Sequence, residues 1–316
     1  MNTQLIVLTN CSERKRGAAQ AFHLAEIQDS LSEKAKRWCR HLGRWPGDRI
    51  PAIERYQGDH WTASLALVRK AERAGWDANL WVASAGYGLI PADAQIHAYA
   101  ATFGGNHADS VGAGTSFTPK EAGKKWWSYL SRWLGPSPGA PRTLEALATL
   151  YPEAAWLVLM SPTYLDAVST DLMAARALMT NPDRLVIVSG TPGPGSMELI
   201  PHWVPALEIS RGELGGGCSS LNARLAGYLA SKFAPDRWSS TLIQPQMNLW
   251  MASLPPLDRP ARRSITDREA LAFIRKRQRE EATTSHSSLL RELRDQGLAC
   301  EQKRFRGLFQ SLKASK

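Results

Sequence analysis

Residues able to do chemistry gather in a few short polar segments. In the first, Asn10-Cys-Ser-Glu-Arg-Lys-Arg16, residues Asn10, Ser12, Arg14, Lys15 and Arg16 put amide, hydroxyl and cations together. That mixture suits recognition of a polyanion or a polar base. The second, Ser84-Ala-Gly-Tyr-Gly-Leu-Ile-Pro-Ala-Asp93, continues through Gln95, Tyr99 and Thr102 to Asp109-Ser110. It offers flexible backbone around Gly88, a stackable Tyr87 and the carboxylates Asp93 and Asp109, parts for gripping a base and activating water. Ser161 with Tyr164, and Ser189 with Thr191, add polar contacts from two further segments. A fifth segment, Gly215-Gly-Gly-Cys-Ser-Ser-Leu-Asn222, sets Gly216, Ser219, Ser220 and Asn222 before a helical run. Its free N–H groups and hydroxyls can hold a phosphate or simply cap the helix.

Other chemistries lack their residues. The seven histidines form no HExxH pair and no hydrolase triad order, although His97 and His107 share one loop region and can meet there. The glycine-rich segment has no Walker lysine, and the first loop is not a GxGxxG turn, so neither a P-loop nor dinucleotide binding is expected. Cys11, Cys39, Cys218 and Cys300 are widely spaced without a CxxC pair, which argues against zinc and disulfides. No metal and no cofactor are therefore expected.

The segments follow apolar runs. Leu5 to Leu8, Leu80 to Ala83, Trp156 to Met160 and Leu185 to Val188 are continuous aliphatic and aromatic stretches, each ending in one of the polar loops. Runs of this length predict strands buried on both faces of a parallel sheet. Helical patterns lie between them over Ala18 to Leu42, Thr62 to Ala74 and Leu165 to Met179, with another from Ala223 to Phe233. A fifth strand is expected over Ala206 to Ser210. The fold class is thus α/β, a Rossmann-like three-layer parallel sheet, and its ligand belongs at the carboxyl ends of the strands.

Pro255-Pro256 and Pro260 read as a linker, giving an α/β domain over 1–255 and a basic helical module over 260–316. The chain carries a formal charge of +10, and from Arg259 onward fifteen Lys and Arg face seven Asp and Glu. Thr266 to Glu269 is a capping box opening a helix through Arg279. A second helix from Ser287 ends at Gly297, and a third runs from Glu301 to Leu312. Leu289, Leu290 and Leu293 can pack on Phe305, Leu308 and Phe309, leaving Arg294, Lys303, Arg304 and Arg306 for DNA. The last two helices predict a helix-turn-helix, with a charged oligomerisation hairpin as the bland alternative. No signal-peptide pattern and no membrane-length apolar run is present, so a cytoplasmic protein without a membrane partner is expected, with no obligate protein partner evident.

Cys11-Ser-Glu-Arg-Lys15, Ser84-Ala-Gly-Tyr-Gly-Leu89, Asp93 and Tyr99 resemble the pattern CSxxK … SAxYGL … D … Y. That pattern marks a group related to the peroxide-stress YaaA proteins and to the central domain of archaeosine synthase, with a fold like that of uracil-DNA glycosylases. The resemblance covers residues 5 to 110 best. The stretch from Leu289 to Phe305 is similar to helix-turn-helix tails found on some of these proteins. Together the two parts resemble antiphage DNA glycosylases of bacterial defence loci, though the GQDPYH and HPSP motifs of the uracil enzymes are missing.

The resemblance implies hydrolysis of an N-glycosidic bond on a flipped-out modified base in double-stranded DNA, leaving an abasic site. Asp93 is then expected to position water and stabilise the sugar cation, with Asp109 as the competing choice. Asn10 and Ser84 would orient the base edge or the water, and Tyr87 and Tyr99 would wall in the base. Lys15, Ser12 and the segment 215–222 would hold flanking phosphates. Two rival readings stay open: a base-modifying or base-exchanging enzyme like archaeosine synthase, and a non-enzymatic DNA-binding regulator.

Overall fold

A computed structural model of the chain describes residues 3–257, 261–280 and 284–314. Contacts divide it into two units, Met1–Pro255 and Pro256–Lys316.

The first unit is built on a six-stranded sheet. Its strands are β1 (Gln4–Asn10), β2 (Asp77–Ser84), β3 (Gly88–Pro91), β4 (Ala155–Leu159), β5 (Leu185–Ser189) and β6 (Trp203–Pro205), in the spatial order β6-β5-β4-β1-β2-β3. All neighbours are parallel except β2 and β3, which form a hairpin. Alternation explains why the strand sequences are apolar throughout. Ile6, Leu8, Trp156, Val158 and Ile187 point into one core, and Leu5, Val7, Leu157, Leu159, Val186 and Val188 into the other.

The first core is covered by α1 (Leu31–Arg44), α3 (Pro119–Ser131), α4 (Leu144–Leu150) and α5 (Pro162–Leu178). The second is covered by α2 (Asp59–Arg73), α6 (Leu221–Lys232) and α7 (Ser240–Ser253). The layered α/β architecture expected from the four apolar runs is present, and all four runs are strands.

Two expected elements differ. Ala18 to Leu42 is helical only from Leu31. Before it, Ala18–Gln20 and Leu24–Glu26 are single 3-10 turns, and Phe22–His23 pairs with Tyr99–Ala100. The pairing places Phe22 in the core, stacked on Trp38 and His41, and this burial overrides the helical pattern. The fifth strand lies at Trp203–Pro205 rather than 206–210, because the chain turns at Leu207 into the 3-10 segment Glu208–Ser210.

The second unit holds α8 (Asp267–Glu280), α9 (His286–Asp295) and α10 (Gln302–Ala314), with Arg263–Ser264 bridging to Leu298–Ala299. Thr266 and Glu269 cap α8 reciprocally: the Glu269 N–H donates to Thr266 Oγ1 at 3.3 Å and the Thr266 N–H to Glu269 Oε2 at 2.8 Å. Leu289, Leu290 and Leu293 pack with Phe305 and Phe309 around Ile274 to form a core of its own. Arg259 and the rest of the expected linker at 258–260 lie outside the described residues.

Candidate functional site

The chain leaves β1 toward β2 and leaves β4 the opposite way, toward β5. The carboxyl ends of β1 and β4 therefore flank a crevice of the kind that binds ligands in open sheets. Asn10 ties the two ends together. Its Oδ1 accepts the Ser161 N–H at 3.0 Å, and its Nδ2 donates to the Cys11 carbonyl at 3.0 Å.

Beside this tie opens a cavity of about 690 Å³, lined among others by Cys11, Lys15, His23, His107, Asp109 and Tyr164. The size falls within the usual range for small-molecule sites. Another cavity, of about 510 Å³, lies between α3 and α5, where Asp171 already caps α4 through the Leu144 and Glu145 N–H groups. Only the first adjoins the strand ends.

Asp109 is buried to 4% exposure. Its Oδ1 accepts the Ala25 N–H at 3.0 Å, and its Oδ2 lies 3.1 Å from His23 Nδ1. The 3-10 turn that displaced the expected helix thus supplies the carboxylate's anchor. The Asp109 N–H donates to His107 Nδ1 at 3.0 Å, so this ring carries its neutral-state proton on Nε2, directed away from the bond. Both imidazoles are exposed on the rim.

Lys15 is 6% exposed, and its backbone bridges to Tyr56. Its Nζ donates to the carbonyls of Ser12 at 2.9 Å and Glu13 at 3.3 Å, and lies 4.1 Å from the centre of the Tyr99 ring. Burial lowers its pKa, opposed by the nearby Cys11, Glu13 and Asp109. Cys11 Sγ sits 3.0 Å from Tyr164 OH.

Behind the cavity wall three hydroxyls close a ring. Tyr56 donates to Ser84 Oγ at 3.3 Å, Ser84 Oγ lies 2.8 Å from Tyr99 OH, and Tyr99 OH lies 2.9 Å from Tyr56 OH. With the Tyr56 proton committed to Ser84, Ser84 must donate to Tyr99 and Tyr99 to Tyr56. Ser84 Oγ also accepts the Gly86 and Tyr87 N–H groups. Burial holds the hydroxyls of Tyr56, Tyr99 and Tyr164 well above the ordinary phenol pKa, so all three are neutral.

The expected residues divide accordingly. Lys15, Ser12, Tyr99, Tyr164 and Asp109 line the cavity. Asn10 and Ser161 join the ends of β1 and β4 without lining it, and Ser84 is a buried hub rather than a lining residue. Asp93 is exposed and outside the cavity: β3 runs antiparallel to β2, which carries the chain back toward the amino end of β2 before Asp93 is reached. Tyr87 is buried with its ring stacked on Trp133, and its hydroxyl accepts the His97 N–H at 3.0 Å, so it presents no open face. His97 bonds to Arg49 and does not meet His107. Gly88 takes a left-handed φ of 71° at the hairpin, beside Arg142, which donates to the carbonyls of Tyr87 and Leu89. Ser189 Oγ is buried without a partner among the described residues, and Thr191 is exposed.

The segment 215–222 is occupied from within. Ser220 Oγ donates to Asp59, and Arg224 reaches Asp59 at 2.8 Å and Ser220 Oγ at 3.1 Å. A carboxylate thus stands where a phosphate was expected. Gly216 takes a left-handed φ of 74° and Ser219 is exposed, while Asn222 turns inward to His60. In the second unit Lys303 and Arg306 are exposed, Arg304 pairs with Asp267 at 2.6 Å, and Arg294 is half-buried.

Cys11 entered as part of the CSxxK pattern, without a role, and His23 and Tyr56 carried no signal in the residue pattern. His23 was hidden by the expected helix, and Tyr56 ends the single helical turn Ala52–Arg55, too short to read. Among the described residues no cluster of His, Cys, Asp and Glu could hold a metal ion, and no helix is long and apolar enough to cross a membrane. No protein-family model, curated protein or solved structure matches the chain.

Proposed function

We propose that this chain is a DNA glycosylase that hydrolyses the N-glycosidic bond of a modified base, in the antiphage role that its sequence resemblance implies. The observation that carries the reading is Asp109, a buried carboxylate facing a 690 Å³ cavity at the crevice between β1 and β4. Cleaving such a bond builds positive charge on the sugar and needs a positioned water. Asp109 serves both, because each of its oxygens has one hydrogen-bond partner, with His107 Nδ1 farther off at 3.8 Å from Oδ2, and keeps a further acceptor site. His23 and His107 on the rim offer N–H groups to the departing base. The cavity leaves room for a base enlarged by modification.

The second unit takes the DNA-binding role, with α9 and α10 as a helix-turn-helix and Lys303 and Arg306 on its exposed face. Contacts of this kind hold phosphates and carry little sequence preference.

The test is mass spectrometry of small molecules released from duplex DNAs of differing base modification. Free base together with alkali-labile sites is expected from the wild-type chain and not from Asp109→Asn. A new base found in the strand would mark an exchange enzyme instead, and binding without release a regulator.

A further inference from the structure

Lys15 is a buried amine in the cavity that hydrolysis by Asp109 leaves unused. Lysines that hold backbone phosphates project into solvent, whereas Lys15 is 6% exposed, lines the cavity and has two carbonyls as its hydrogen-bond partners. Among the described residues no carboxylate lies within ion-pair distance of it. A neutral amine has two N–H bonds, which match those two carbonyls, and its lone pair is then free. Burial is the largest influence on it and favours that neutral form, opposed by Cys11, Glu13, Asp109 and the Tyr99 ring 4.1 Å from Nζ. The same cavity holds a carboxylate, Asp109, able to take a proton.

Resting on the glycosylase reading, we propose that Lys15 is the amine nucleophile of a second activity, an abasic-site lyase that cuts the strand after the base has left. The Nζ lone pair attacks C1′ of the open-chain deoxyribose aldehyde, giving a carbinolamine. Loss of the hydroxyl as water, with one proton taken from solvent, leaves a protonated imine between Lys15 and C1′. Asp109 removes a proton from C2′, and the C–H electrons form a C2′=C3′ double bond. The C3′–O bond breaks, and its electron pair leaves with the 3′-phosphate, which becomes the 5′-phosphate end of the downstream strand. Water then hydrolyses the imine and returns the Lys15 amine, with an unsaturated aldehyde left on the upstream strand. No oxidant or reductant is needed.

The probe is a labelled duplex with one preformed abasic site, incubated with the full-length chain and sodium borohydride. Hydride reduces the imine to a stable secondary amine and traps the cross-link. Wild-type chain is expected to form a cross-linked band that falls roughly tenfold or more in Lys15→Arg, which keeps a long N–H-donating side chain but has no usable amine. Tryptic mapping of the wild-type adduct is expected to place it on Lys15, a readout independent of whether the variant folds. An adduct on another residue overturns the proposal, as does undiminished trapping in a folded Lys15→Arg chain. Absence of wild-type trapping also overturns it. Base release measured in parallel on modified DNA then distinguishes the cases: release without trapping leaves a hydrolytic glycosylase, and neither removes the glycosylase reading as well.

Discussion

Replacing Asp109 by Asn separates chemistry from folding. Asn keeps an oxygen for the Ala25 N–H, now 3.0 Å from Oδ1, and loses the charge facing His23 Nδ1 at 3.1 Å. The His23 side chain is 48% exposed, so that pair is screened and contributes at most about 1 kcal/mol. A melting-temperature drop of about 2–4 °C follows for a unit of this size. The chemical step should suffer far more. Removing a group that positions water and faces the developing sugar cation lowers the rate by about 10²–10⁴-fold, or about 3–5 kcal/mol of barrier. Single-turnover base release, followed by quench and mass spectrometry, measures the step directly, and a thermal melt measures the fold. Asp93→Asn is the matched control, because Asp93 is exposed and outside the cavity, and it should leave both unchanged. Release by Asp109→Asn within about threefold of wild type, against the 10²-fold minimum, would refute the assignment.

Three further outcomes are expected. Burial pulls the His60 ring down to about 4 from 6.5, so the folded chain holds it neutral while the unfolded chain protonates it. Stability from this residue is full above the unfolded pKa and is lost as pH falls from about 6.5 toward 4, by up to about 3 kcal/mol. Melts at pH 7.5 and 4.5 should show a smaller acid loss in His60→Gln, and equal losses would remove the idea. Gly86→Ala would place a Cβ 2.4 Å from Tyr99 Cε2, inside a ring already packed against Lys15 and Tyr56. Urea melts should show about 1–3 kcal/mol of destabilisation, and a neutral result would mean the hairpin yields freely. Lys303→Ala with Arg306→Ala should weaken duplex binding in anisotropy titrations and reduce the salt slope by about 2, with an unchanged melt. An unaltered slope would place the phosphate contacts elsewhere.

The strands were legible because burial on both faces removes polar residues from a whole run, as in Leu185–Ser189, and few other elements leave that mark. The helices of the second unit were legible through caps and leucine spacing. The cavity was less so. Asp93 and Asp109 read alike in sequence, and what separates them is the antiparallel turn of β3, a tertiary fact. Tyr87 looked available for stacking, yet Trp133 and the His97 N–H claim both its ring and its hydroxyl. Ser220 looked like a phosphate ligand until Asp59, 161 residues earlier, was found in its place. Local pattern shows which groups a loop carries. Which of them stay unpaired depends on partners far away in the chain.

The ring of Tyr56, Ser84 and Tyr99 bears on how such a chain can diverge. Each hydroxyl donates to the next, so the direction of every bond is set by the other two. A lone Phe at position 56 or 99 leaves a buried neighbour without its partner, and Phe at both still leaves the Ser84 proton without an acceptor, so only exchanging all three removes the mismatch. The three positions therefore drift as a set rather than one at a time. Descendants of this chain should either inherit the whole trio or have exchanged its members nearly at once, with few lineages caught between.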